Sequence, residues 1–418
     1  MVVSAGVPHP TQGASVVLFF LYVEALRQAG FEVVHLVLLE RGKATEEQLR
    51  RYQELASGRG WRVATIWSER FVRSTLWSHR LDPAATNALR ESLVAFRPDI
   101  LVCLDLLPAW LSAGNAEMPR VVWLGDLNFQ SFAYNGYYGW REGEIGLRTL
   151  LSSLLQAAAW LPIYRRAMAG AESILVASKS SEAALFWLGL RAAYAAYPWP
   201  ASAPQARPAS RSDEVPTFLF CGHLRGLGSR SALHLLLDGI YPRLRQRLGE
   251  RRFRIVLCGR TPLPDWAQAS TATKPEVEYL GFVEDLEALM ASCHALLAPI
   301  QAPVGNRSRI VTAMAHRLLV IAHPSTACGN PDLVNGETCY LARRAGTFVT
   351  RIERSLERPD EVSAIVGRAQ EVYRRRFAPG VATARLVSEV ERLASGLSDQ
   401  GRLVSVRERS SDDDPTRA

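Results

Sequence analysis

"PVGNRSRIVTAMAHRLLVIAH", residues 303–323, holds a glycine, two arginines separated by a serine, an apolar pattern at helical spacing and a short Leu/Val/Ile run. The run just before it, 295–300, reads as a buried strand, and Ile310, Val311, Met314 and Leu318 recur at the period of a helix. Strand, glycine loop, helix and strand in that order make the repeating step of a parallel α/β sheet. The loop then falls at the carboxyl edge of the sheet, where open α/β sheets bind ligands. A helix start offers unpaired N–H groups and a partial positive charge. Gly305 lets a ligand approach the backbone, while Arg307 and Arg309 add full charges and forked donors. A diphosphate fits that chemistry; a surface loop with merely solvated arginines is the alternative at this point.

The same step repeats on both sides. "MVVSA" (1–5) reads as a strand, 14–30 as a helix closed by Gly30, and "FEVVHLVLL" (31–39) as a second strand. "RPDILVCLD" (97–105) and "PRVVWLGD" (119–126) are continuous apolar runs, the pattern of parallel strands buried on both faces. "AESILVASKSSEAALFWLGL" (171–190) is another strand, turn and helix. Prolines 198, 200, 204, 208 and 216 then interrupt the pattern, and neither a helix interior nor a central strand tolerates them. Alternation resumes with "TFLFCGHL" (217–224) and continues through "FRIVLCG" (253–259) and "VEYLGF" (277–282). The expected architecture is α/β: two doubly wound, Rossmann-like domains facing each other across a cleft. The expected boundaries are an N-terminal domain over 1–196, a linker over 197–216 and a C-terminal domain over 217–376. A helix over 377–395 is expected to pack back across the domains, and 396–418 to be a disordered tail.

With 418 residues and 48% hydrophobic content, the chain is long enough for two cores. Its net charge of +8 favours anionic partners, although the basic residues are spread along the chain and most are read as solvated surface. Six cysteines stand far apart, with no CxxC pair and no His at ligand spacing. That argues against a disulfide scaffold and for reduced, mostly buried thiols in a cytoplasmic protein. The chain reaches a strand at once, so no leader is expected before it. "VVLFFLYV" (16–23) is too short to cross a bilayer. The segment 147–168 is read as a buried helix; its alternative is a peripheral contact with the inner face of the cell membrane, through Arg148, Arg165 and Arg166.

Taken together, "FLFCGHLRGLGSRSALHLLLDGIYPRLRQRL" (218–248), "VEYLGFVEDLEALMASCHALLAPI" (277–300) and "GNRSRIVTAMAHRLLVIAH" (305–323) resemble the GT-B glycosyltransferases, in particular the retaining enzymes of family 4. Residues 1–200 match more loosely, through "VPHPTQGAS", "RPDILVCLD", "RVVWLGDL" and "AESILVASKSSEAAL". The resemblance implies transfer of a sugar from a nucleoside diphosphate sugar to an acceptor hydroxyl, with retention and without metal. The donor would be a UDP- or GDP-sugar as co-substrate, with no further cofactor and no nucleic-acid partner. The diphosphate would lie against Gly305, Asn306, Arg307, Ser308 and Arg309, and the base against Gly281, Phe282 and Val283. Gly13, Gly222, His223, Gly259 and Arg260 would complete the donor side. Arg309 would stabilise the leaving diphosphate, since preorganised donors act where charge develops. Asp126 would be the second catalytic group.

The chain also departs from the family. Val304 and Thr312 stand where two glutamates are usual, so Thr312 is left to meet the ribose. His223 and Gly228 replace an Arg and a Lys, for which Arg225 or Arg230 would substitute. Gly125 precedes Asp126 where a His is usual. A protein of this shape that has lost transfer, acting as a sugar-nucleotide sensor or as a stabilising partner of an active enzyme, is therefore the second reading, and a sugar-nucleotide epimerase of similar shape a third. For the acceptor, a glycan, a glycolipid or a small molecule, the aromatic-rich, poorly periodic stretch 126–144 is the expected wall. Phe129, Tyr134, Tyr137, Tyr138 and Trp140 would stack on sugar rings there.

Overall fold

The computed structural model describes residues 1–11, 15–115, 118–201, 215–249 and 252–399. The N-terminal sheet is built from β1 (Val2–Ala5), β2 (Val34–Glu40) and β3 (Arg62–Ser68), which precede a small antiparallel hairpin of β4 (Val72–Ser74) and β5 (His79–Leu81). It is completed by β6 (Leu101–Leu104), β7 (Arg120–Leu124), β8 (Ser173–Val176) and the short β9 (Ala193–Tyr194). Its order is β3-β2-β1-β6-β7-β8-β9 and every pairing is parallel. The C-terminal sheet holds β10 (Thr217–Cys221), β11 (Arg254–Cys258), β12 (Val277–Gly281), β13 (Ala295–Ala298), β14 (Leu319–Ala322) and β15 (Tyr340–Leu341). Its order is β12-β11-β10-β13-β14-β15, again parallel throughout. In both sheets the strand order reverses beside the first strand, between β1 and β6 and between β10 and β13. Loops part at such a reversal and leave a crevice at the carboxyl ends of the strands.

The apolar runs read from the sequence are the buried centres of these sheets; all of Leu101–Leu104, Arg120–Leu124, Ala295–Ala298 and Leu319–Ala322 lie inside. One face of the N-terminal sheet shares a continuous core with the C-terminal domain, joined through Tyr197 and Phe377, whose rings meet edge-on at 5.9 Å. Trp199 ties the linker down: its backbone N–H donates to the Phe377 carbonyl (2.8 Å), and the Trp199 carbonyl accepts from the Tyr373 hydroxyl (2.9 Å). The helix at the end of the described chain, Ala384–Asp399, extends past the expected stop at 395 and packs against the Ser15–Gln28 helix and β7. Most of the expected linker, 202–214, and the tail from 400 onward lie outside the described residues.

The stretch 126–144 departs from its expectation as an irregular wall. Residues Asn128–Arg141 form a helix, closely packed on the following helix, Leu147–Met168. Gly136 explains the close approach, since a Cβ there would lie 2.6 Å from Cβ of Ser153.

Candidate functional site

The glycine loop 303–307 leaves β13 and enters the Ser308–Ala315 helix at the carboxyl edge of the C-terminal sheet. Gly305 turns the chain at φ +71°, and its Cα is in contact with the Asp126 carboxylate from the other domain: any Cβ there would overlap the carboxylate. Asp126 sits just past β7, so the two domains meet where both strand sets end. Beside it the Lys179 N–H donates to the Gly329 carbonyl (3.0 Å), and the Tyr197 hydroxyl donates to the Asn306 carbonyl (3.3 Å).

From this loop two arginines reach across to the strand–helix turn after β10. Arg309 lies flat over Gly222, donates from Nη2 to Ser229 Oγ (3.2 Å) and rests 5.4 Å from the Phe220 ring centre. Arg307 lies over Gly228, whose missing side chain leaves the guanidinium room; a Cβ there would stand 3.3 Å from its Cζ. Neither is in an ion pair among the described residues, and each keeps one buried N–H group without a partner, Arg309 Nη1 and Arg307 Nη2. Burial lowers Arg309 to about 10; the Cys221 thiol opposes the shift and the Arg307 charge adds to it. It remains charged at neutral pH. Two adjacent cations with orphan donors and no counter-ion are the signature of an anion site, because an unpaired buried charge is otherwise costly.

Other residues singled out from the sequence are placed as follows. Arg225 is turned to Asp265 (3.1 Å) and the Leu263 carbonyl (3.0 Å), and Arg230 to Glu144 (2.9 Å) across the domain boundary. Both expected substitutes for the family's basic pair are thus already paired; Arg307 and Arg309 come instead from the opposite loop to cover the same turn. Thr312 is buried: its hydroxyl accepts from Trp199 Nε1 (2.9 Å) and donates to the Ser308 carbonyl (3.0 Å), so it faces the linker. His223 is exposed on the turn after Gly222. Gly259 must be glycine because a Cβ would overlap the Gly222 carbonyl, and its N–H donates to the carbonyl of Gly281 (2.8 Å), which turns at φ +69°. Val283 packs on the core, while Phe282 is exposed with Arg260 stacked over it at 5.3 Å. Gly13 lies outside the described residues.

The aromatic set divides. Phe129 packs edge-on against Tyr164 at 5.2 Å and Tyr138 is buried, so both serve packing. Tyr134 stacks on Tyr138 at 6.4 Å; burial raises its hydroxyl and neighbouring Cys328 adds to the shift. Tyr137 and Trp140 are exposed. Among the described residues, no group of three or more His, Cys, Asp or Glu stands where a metal ion could be held.

Two features escaped the sequence reading. Asp105, at the end of β6, has a left-handed backbone (φ 87°), and its carboxylate accepts from the Leu106 N–H at 2.9 Å. Burial pushes it up to about 6, with nearby Asp126 adding to the shift. A non-glycine residue held so costs on the order of 1–3 kcal/mol, and such strain gathers at working sites. The only sequence hint was an Asp ending a buried strand. The second feature is a cavity of about 900 Å³ at the carboxyl ends of β1 and β2, walled by Val7, Leu38, Lys43 and Tyr52, with Arg260 reaching in from the other domain.

Residues 215–358 match the family Glycosyl transferases group 1. No curated protein sequence matches the chain. Among solved structures it is similar to HepE of Anabaena in complex with UDP and glucose, at 15% identity and TM-score 0.63, covering 93% of this chain and 99% of that one. It is also similar to a glycosyltransferase of Rickettsia africae (10% identity, TM-score 0.67, 94% and 98% covered) and to the sucrose-phosphate synthase of Thermosynechococcus elongatus (14%, 0.65, 94% and 98%).

Proposed function

We propose that this chain, whose residues 215–358 match the Glycosyl transferases group 1 family, is a divergent glycosyltransferase of GT-B fold that moves a sugar from a nucleoside diphosphate sugar to an acceptor hydroxyl, with retention and without a metal. The observation that carries the reading is the pair Arg307 and Arg309, unpaired, with buried orphan N–H groups beside the Gly305 loop. As the bond from the anomeric carbon to the diphosphate breaks, negative charge gathers on the phosphate oxygens. Donors fixed beforehand stabilise that charge with little reorganisation. The base extends toward Gly281 and Val283, beyond Gly259.

Asp126 reaches the loop from the acceptor domain and holds a hydroxyl of the sugar or the acceptor in line; the departing phosphate takes the acceptor's proton. The acceptor enters by the cavity beneath Val7 and Leu38, whose mixed walls suit an amphipathic molecule. Asp126→Asn is expected to keep donor affinity and melting temperature and to depress turnover, on the order of 100-fold. Equal loss of stability and turnover would make Asp126 a structural cap.

A panel of labelled UDP- and GDP-sugars tests the reading, UDP-glucose first because HepE has been solved with it. Release of nucleoside diphosphate from one donor supports transfer. A donor that binds without turnover supports the sensor or stabilising-partner reading, which the absence of carboxylates at Val304 and Thr312 favours. If no member of the panel binds, both readings fall.

A further inference from the structure

The Leu147–Met168 helix is buried only along one side. Tyr164, Ala167 and Met168 enter the N-terminal core, while Leu147, Leu151, Leu154 and Leu155 stand exposed, Leu147 at 58%. On a helix these positions fall on one stripe, which Ala158 and Pro162 extend toward Arg165. An uninterrupted apolar stripe in water marks a surface that is covered in use.

One neighbouring element enlarges it. The Lys179–Trp187 helix ends beside Arg165, whose Nε donates to the Leu188 carbonyl (3.2 Å), and there Phe186 and Trp187 stand exposed at 70% and 84%. The charges on this face have one sign. Segments 147–170 and 183–192 contain no Asp or Glu. Arg148, Arg165 and Arg166 are exposed, and none is in an ion pair among the described residues.

We propose that this face docks on the surface of an anionic bilayer: the leucine stripe, Phe186 and Trp187 enter the headgroup boundary, and the arginines meet lipid phosphates. Charge selects this occupant. A second copy of the chain would bring arginines against arginines, whereas anionic lipid neutralises them, at about fivefold in affinity for each. Exposed Trp and Phe beside Leu and Arg suit a boundary that is apolar on one side and wet on the other. Among the described residues no helix is long and apolar enough to cross a membrane, so the contact is peripheral. The face lies apart from the donor cleft, and the proposal does not rest on the transfer reading.

The test is flotation of the full-length protein with vesicles of phosphatidylcholine alone or mixed with phosphatidylglycerol. The wild type is expected to float with the mixed vesicles and much less with phosphatidylcholine alone. Leu151→Glu with Leu155→Glu is expected to weaken binding about tenfold or more. Arg148→Gln with Arg165→Gln and Arg166→Gln is expected to remove the preference for anionic lipid, a loss on the order of 100-fold. Unchanged melting temperatures keep both variants interpretable. The proposal is overturned if the wild type fails to float, or if both variants float like the wild type. It is equally overturned if light scattering finds a dimer that the leucine variant splits while the wild type ignores vesicles, because the face would then belong to self-association.

Discussion

Gly222 is held at φ +130° with the Arg309 guanidinium lying on its Cα, and Gly228 leaves the same room for Arg307. The absent side chains decide where the two cations rest. Gly222→Ala removes no donor, yet its Cβ would displace Arg309 from Ser229 and strain the backbone. We expect nucleoside diphosphate affinity to fall on the order of tenfold by titration calorimetry. Unaltered affinity would mean that this seat is dispensable. Thr312 makes the opposite case. With its hydroxyl between Trp199 and the Ser308 carbonyl, Thr312→Ala leaves the half-buried indole N–H without this partner. Stability is expected to drop by about 1–3 kcal/mol in denaturant titration, with nucleotide affinity unchanged. Lost affinity without lost stability would return Thr312 to the ribose.

The Asn128–Arg141 helix joins the domains through its carboxyl end. Arg141 donates to Gln301 (2.9 Å), and Glu144 just beyond pairs with Arg230. Between them the Glu142 side chain is 3% exposed, its carboxylate 4.0 Å from Arg230 and without a hydrogen-bond partner among the described residues. Burial raises it to about 7; Glu144 adds to the shift, while His234, Arg230 and Arg141 oppose it. A folded-state value above the unfolded one means stability that is full below the ordinary value of 4.5 and lost as pH rises to about 7. Melting temperature is therefore expected to fall between about pH 4.5 and pH 7 and to level off above it, and Glu142→Gln to flatten that slope. An unchanged slope in the variant would assign the dependence to another group. This helix was also the least legible element. Its glycines and aromatics obscure the helical period, and Gly136 and Gly139 serve contacts with Ser153, Ile145 and Arg230 that only the fold brings near. Buried parallel strands were legible because their apolar runs are continuous. The charges of Arg225 and Arg230 were visible, but Asp265 and Glu144, which occupy them, were not.

At the scale of the whole molecule, both sheets reverse order beside their first strand, and the two crevices face each other with Asp126 against Gly305. From the sequence, the loop 303–309 stood out through its place between a buried strand and a helix and through Gly305, Arg307 and Arg309; the geometry adds the approach of Asp126 and the turn that the arginines cover. The proposed donor site thus draws on two segments far apart in the chain, the turn after β10 and the loop after β13, with Asp126 of the N-terminal domain against them. The most direct measurement is calorimetric titration of UDP and GDP into the wild type, Arg307→Ala and Arg309→Ala. The account predicts that at least one nucleoside diphosphate binds the wild type and that Arg309→Ala weakens it on the order of 100-fold, with a smaller loss for Arg307→Ala. Wild-type affinity retained in both variants would contradict the assignment of the arginine pair to the diphosphate.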